Sequence, residues 1–193
     1  MGFFPFVKKM QDYKNSSDEH LMSLIQNGEE TAFNEIYQRY SGRLLHFMFR
    51  MLGQDEAKAQ DFLQDVFLKI VSSPEKFDTT KNFKTWVFTV AANLCKNSFR
   101  KKDKHFADLS EIQSIDSIND FDLVDQQSFK KELSTKLDQL HPVYKEAFIL
   151  RYHEGLSLNE IALVANCPLG TVKSRLHSAI RILSKKLIHY QPN

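Results

Sequence analysis

Apolar residues recur at spacings of three and four along most of the 193-residue chain, and no stretch alternates strictly, so the pattern predicts an all-α protein. Ser16 followed by Glu19 reads as a capping box before a short helix carrying Leu21, Leu24 and Ile25 and ended by Gly28. Phe33, Ile36, Tyr37, Tyr40, Leu44, Phe47, Met48 and Met51 then share one side of a longer helix over 29–52, with Gly53 at its C-terminal cap. A third helix over 55–71 turns Ala59, Phe62, Leu63, Val66, Phe67 and Ile70 inward and is closed by Pro74. The fourth begins at Phe83, buries Trp86, Val87, Val90, Ala91 and Leu94, and runs out into Lys96, Arg100, Lys101 and Lys102. Together these four make a small helical bundle.

Over residues 103–128 the composition shifts. Seven carboxylates, from Asp103 to Asp125, face Lys104 as the one opposing full charge, which predicts an extended acidic linker. Beyond it Leu133, Leu137 and Leu140 mark one helix. Pro142, suited to a first turn, opens another that carries Val143, Ala147, Phe148, Leu150 and Tyr152 and stops at Gly155. Ser157 with Glu160 is a second capping box; the short helix behind it, with Ile161, Ala162, Val164 and Ala165, ends at Asn166-Cys167-Pro168. Pro168 then suits the first position of a last helix that has Val172, Leu176, Ile180, Leu183 and Leu187 on one face. The expected organisation is an N-terminal arm (1–15), a first helical domain (16–102), the linker (103–128) and a second helical domain (129–190).

Composition narrows the function classes. With 42% hydrophobic residues the chain can bury a core in each domain, and six Gly with five Pro fit helices. A net charge of +2 and a pI near 8.4 fall below what binding DNA by charge alone requires, so any DNA binding is expected to be assisted. Cys95 and Cys167 lie far apart, without CxxC or a nearby His at zinc spacing, and are expected as reduced thiols. The opening MGFFPFVKKM has too short an apolar run for a signal sequence, and no segment is long enough to span a bilayer, so a cytoplasmic protein without membrane insertion is expected. No two histidines stand at i,i+4, and there is no Gly-rich phosphate loop or nucleophile elbow. Neither an enzyme nor a metal or cofactor site is expected.

Three patches could carry chemistry. Thr171, Lys173, Ser174, Arg175, His177 and Ser178 lie off the apolar face of the last helix, combining hydroxyls, cations and an imidazole as a helix in a DNA major groove does. From spacing alone, an ordinary helical hairpin with a solvated basic face explains them equally well. Lys96, Arg100, Lys101 and Lys102, beside the 72–82 loop with Phe77 and beside Trp86 and Asn93, offer cations and aromatic surface suited to single-stranded DNA; a solvated helix end is the plainer alternative. Asp61, Gln64 and Asp65 stand opposite the apolar side of the third helix, as a solvated strip or an acidic docking face.

The segment CPLGTVKSRLHSA closely resembles the recognition helix of region 4 of bacterial RNA polymerase sigma factors, particularly the small extracytoplasmic-function subfamily. AQDFLQDVFLKI resembles the region 2 segment of that family that docks on the clamp helices of the polymerase largest subunit, and FKTWVFTVAANLCKNSFRKK the part that reads the minus-ten element. The resemblance runs from Ser17 to Leu187 in the family's order, without the large third region. It implies polymerase docking through Asp61, Gln64, Asp65 and Phe67, and minus-ten contacts through Phe77, Trp86, Asn93, Lys96, Arg100, Lys101 and Lys102. The minus-thirty-five element would be met by Thr171, Lys173, Ser174, Arg175, His177 and Ser178, with Arg151 and Thr171 on phosphates. The implied partners are core RNA polymerase, through clamp helices and flap, duplex and single-stranded promoter DNA, and an anti-sigma factor. The chain departs from the housekeeping members in having one tryptophan, and from many relatives in having Ser178 where they carry arginine, which leaves the base preferred there open. A stand-alone helix-turn-helix regulator is the alternative.

Overall fold

A computed structural model describes residues 13–102 and 126–187; the arm up to residue 12 and the acidic stretch 103–125 lie outside the described residues. All regular structure within them is helical: α1 (Asp18–Gln26), α2 (Glu30–Met51), α3 (Glu56–Ser72), α4 (Phe83–Lys102), α5 (Gln126–Asp138), α6 (Pro142–Tyr152), α7 (Leu158–Ala165) and α8 (Leu169–Lys186), with 3-10 turns at Tyr13–Asn15 and Pro74–Lys76.

Helix ends follow from local chemistry. Gly28, Gly53 and Gly155 adopt positive φ (84°, 71° and 65°) just past the ends of α1, α2 and α6, a conformation open to glycine at little cost. The Ser157–Glu160 capping box forms in both directions, Glu160 N–H donating to Ser157 Oγ at 3.2 Å and Ser157 N–H to Glu160 Oε2 at 2.7 Å. The box expected at Ser16 and Glu19 does not form. Ser17 is the N-cap, accepting from His20 N–H at 3.2 Å, while Ser16 gives its carbonyl to Arg39. Pro74 opens a 3-10 turn two residues after α3 ends, and Pro168 sits one place earlier than expected, as the N-cap of α8.

Helices α1–α4 form one bundle and α5–α8 a second, smaller group. The two groups pack together: α4 lies against α2 and α3 on one side and α7 on the other, and α6 lies against α2. One continuous core therefore runs from Leu21 on α1 to Val172 and Leu176 on α8, while Leu137, Leu140, Ala179 and Leu183 make a separate cluster that seats α5 on α8. Each fully buried Leu, Ile or Phe of such a core contributes roughly 1.5–3 kcal/mol.

Two apolar faces differ from the periodic reading. On α4, Trp86 and Leu94 are only half-buried, whereas Phe88, Ala92 and Cys95 are enclosed, because the helix is covered from two directions. On α8 the buried stripe is Val172, Leu176, Ala179, Leu183 and Leu187, with Ser178 beside it; Ile180 is half-exposed.

Candidate nucleic-acid interface

The 73–82 loop is held in place from below. Gln26 Nε2 donates to the carbonyls of Pro74 (3.0 Å) and Phe77 (2.9 Å). Asp78 Oδ1 accepts from the Thr80 amide and hydroxyl (3.0 and 2.7 Å), and these bonds hold its carboxyl below the usual range. Asn82 Oδ1 accepts from Thr85 N–H at 2.8 Å, and Glu19 Oε1, from α1, accepts from Phe83 N–H at 2.9 Å, so two side chains satisfy amides at the start of α4.

Expected on this surface, Phe77 is instead part of the core. It is 2% exposed and packs edge-on against Phe83 (5.3 Å) and against Trp86 (5.2 Å), so its side chain supports the loop from inside. Trp86 keeps part of its ring exposed. Asn93 and Arg100 are exposed along α4 and Lys96 is half-buried; Lys101 and Lys102 complete the helix, their side chains lying outside the description.

On α8, Lys173 is exposed and Thr171, Ser174, Arg175 and His177 are half-buried. Ser178, expected beside them, is 4% exposed, because α5, α6 and α7 all pack on α8 and its buried side is wide. Ser174 Oγ donates to the Thr171 carbonyl at 3.0 Å. Arg175 does not project into solvent; its Nη1 lies 3.5 Å from Cys167 Sγ, and its side chain lines a crevice with Lys96, Arg100 and Glu146. Arg151 is exposed and spans the α6–α7 turn, its Nη1 donating to the Leu156 carbonyl at 3.0 Å.

The third patch is larger than the sequence reading had it. Asp61, Gln64 and Asp65 are exposed on α3 as expected, but Phe67 is 5% exposed, edge-on to Phe33 at 6.0 Å and beside Tyr37 at 4.7 Å. Next to the carboxylates Leu68 (65% exposed), Val71 (53%) and Tyr37 (45%) border an apolar groove floored by Phe33, Leu63 and Phe67. Leu68 and Val71 lie off the inward stripe of α3, and that misplacement was the available signal for them.

Cys95 is buried, with its thiol pushed up to about 12 by burial and by Glu146; Cys167 is half-buried and also raised, chiefly by burial. Neither is in a disulfide, and among the described residues no cluster of His, Cys, Asp and Glu could hold a metal ion. Nor is any described helix long and apolar enough to cross a membrane.

The family model for Sigma-70 region 2 matches residues 36–105, and that for Sigma-70 region 4 matches residues 130–183. This chain belongs to the extracytoplasmic-function sigma factors. It is 28% identical over 174 residues to the ECF RNA polymerase sigma factor SigW of Bacillus subtilis, covering 84% of this chain and 92% of the relative. It is 28% identical over 182 residues to the ECF RNA polymerase sigma-E factor of Haemophilus influenzae, covering 89% and 95%. Among solved structures, the sigma factor RpoE in complex with the anti-sigma factor NepR from Bartonella quintana aligns with a TM-score of 0.63 at 26% identity, over 81% of this chain and 96% of the other. CnrH in complex with the cytosolic domain of CnrY aligns at 0.68 and 21% identity, over 90% and 99%, which extends the likeness of fold. In this sigma factor the region 2 match takes in most of the first bundle, with the loop, the α4 surface and the acidic strip, and the region 4 match takes in most of the second group, with α8.

Proposed function

We propose that this sigma factor binds core RNA polymerase in the cytoplasm, directs it to promoters carrying defined minus-ten and minus-thirty-five elements, and assists strand opening without bond chemistry of its own. The observation that carries this reading is the presence, in order on one chain, of regions 2 and 4. The Asp61, Gln64 and Asp65 strip and the adjoining apolar groove suit a partner helix that is basic on one side and apolar on the other. Trp86, Asn93, Lys96 and Arg100 provide cations and a partly exposed ring beside a preformed loop, which suits an unpaired strand. Phe77 acts by fixing that loop. In region 4, Lys173 with Thr171, Ser174 and His177 faces the major groove, and Arg151 lies among the backbone contacts. Arg175 is the residue we assign to guanine, worth about 1–3 kcal/mol of discrimination, once it leaves its crevice. The solved relative RpoE, bound to the anti-sigma factor NepR, supports such a regulator as a further partner.

Runoff transcription tests this. Core polymerase of the source organism, with and without this protein, is presented with fragments of that genome, including the region upstream of this gene. Discrete new transcripts that disappear with R175A or with the D61A/D65A pair are expected. A specific duplex shifted by the protein alone, with no transcript under any condition, would replace this reading with a stand-alone regulator.

A further inference from the structure

Regions 2 and 4 meet across an interface of opposite charge that takes in part of the surface assigned to DNA. Cations come from region 2, namely Arg43 on α2 with Lys84 and Lys96 on α4; carboxylates come from region 4, namely Glu146 on α6 and Glu154 just after it. Lys96 Nζ stands 2.8 Å from Glu146 Oε1, in an ion pair that departs from hydrogen-bond geometry. Arg43 Nε donates to Glu154 Oε2 at 3.1 Å and its Nη2 to the Glu154 carbonyl at 3.3 Å, and Lys84 Nζ donates to the same carbonyl at 3.0 Å. At the other end of α2, Arg50 donates to Ser134 Oγ (3.1 Å), and Lys145 donates to Asp138 (3.0 Å) and to the Arg50 carbonyl (3.3 Å).

Glu146 decides what the interface is for. It is 1% exposed, and enclosing a carboxylate so completely is costly unless cations face it. The cations around its crevice are Lys96, Arg100 and Arg175, all three assigned above to DNA. Towards them Glu146 presents what a phosphate would, an anionic oxygen at short range.

We propose that region 4 clasps region 2 as an intramolecular competitor of promoter DNA, Glu146 occupying the basic surface that the nucleic acid must take over and Glu154 fastening the clasp beside it through Arg43 and Lys84. The identity of the displaced ligand rests on the function proposed above; the clasp itself does not. The connection over 103–125, with a contour of roughly 75 Å at about 3.3–3.6 Å per residue, lets the halves separate. A binding-competent open form that is only fractionally populated weakens apparent DNA affinity by that fraction, so loosening the clasp tightens binding even though no DNA contact is added.

The test uses the whole chain. K96E and E146K each remove the central pair and K96E/E146K restores it reversed; R43A removes the second pair from a half-exposed position outside the assigned DNA contacts. Radius of gyration by small-angle scattering is read with far-UV circular dichroism as the check on helix content. Expected are expansion in both single charge reversals, recovery in the double variant and expansion in R43A. Fluorescence anisotropy with a labelled 20-nucleotide oligo-dT should show R43A binding about threefold tighter or more. Should Glu146 variants lose helix content, R43A carries the decision. An R43A chain as compact as the parent overturns the clasp and leaves the runoff result untouched. An expanded R43A chain with unchanged oligo-dT affinity overturns the competition with DNA.

Discussion

Glu19 belongs to α1 by sequence and to α4 by function. Its carboxylate accepts the Phe83 amide, 64 positions away, and so ties the start of the helix that carries Trp86 and Lys96 to the first helix of the bundle. The local pattern S-x-x-E pointed to a capping box with Ser16, but Ser17 took the cap. Nothing in the spacing shows a carboxylate reaching another helix, because a capping signal is local and this bond is tertiary. Replacing Glu19 with Ala leaves the Phe83 amide without its acceptor and is expected to lower stability by about 1 kcal/mol, read as a lower urea midpoint at unchanged slope. Phe77 was misplaced for a related reason. An aromatic residue in a polar loop looks available to a base, yet Phe83 and Trp86 meet it at 5.3 and 5.2 Å, a match made only when the loop folds back under Gln26.

At the scale of the element, the period of 3.6 located the helices well, and glycine and the Ser157–Glu160 box marked ends that the structure retains. Which residues of a helix are buried was legible on α2, whose inward set includes Ile36, Tyr40, Leu44, Phe47 and Met51 at helical spacing. It was less legible on α4, which packs on α7 as well as on α2 and α3, so that Ala92 and Cys95 are buried in addition to a single stripe. The groove on α3 shows the converse. Leu68 and Val71 are apolar yet uncovered, which a soluble bundle tolerates singly but seldom beside further exposed rings such as Tyr37. Leu68→Asp is therefore expected to leave stability within about 0.5 kcal/mol, since the side chain is mostly in water, and to weaken core polymerase binding by about tenfold. Urea unfolding and a binding titration with purified core enzyme separate the two effects.

For the whole molecule the clasp brings a dependence on pH. His46 on α2 and His153 after α6 stack across the interface with ring centroids 5.8 Å apart, and Arg50 Nε donates to His46 Nε2 at 2.9 Å, a bond that a protonated Nε2 could not accept. Burial first, then Arg50 and, for His153, the neighbouring His46, hold both imidazoles below their ordinary range. The parted form, titrating near 6.5, thus binds more protons than the clasped form just below that pH. The histidine contribution to clasping is complete above about pH 6.5 and is lost as the pH falls through the lowered values. Glu146 and Glu154, held above the usual carboxylate range chiefly by burial, act in the opposite sense, so the histidine part must be read as a difference. On acidification the parent is expected to expand more than H46Q/H153Q, measured as radius of gyration against pH. Equal profiles would show that the imidazoles contribute nothing.

The ion pair between Arg43 and Glu154 joins positions 111 residues apart, and the order in which a ribosome makes them has a consequence. When Lys102 has been added the first bundle is complete in sequence, but Glu146 and Glu154 do not yet exist. At about 5–20 residues per second, the newborn bundle waits roughly 3 to 10 s for them. Through that interval its cations and the α7-facing side of α4 are uncovered, so a nascent chain has a chance to meet nucleic acid or polymerase that the finished one must open to regain.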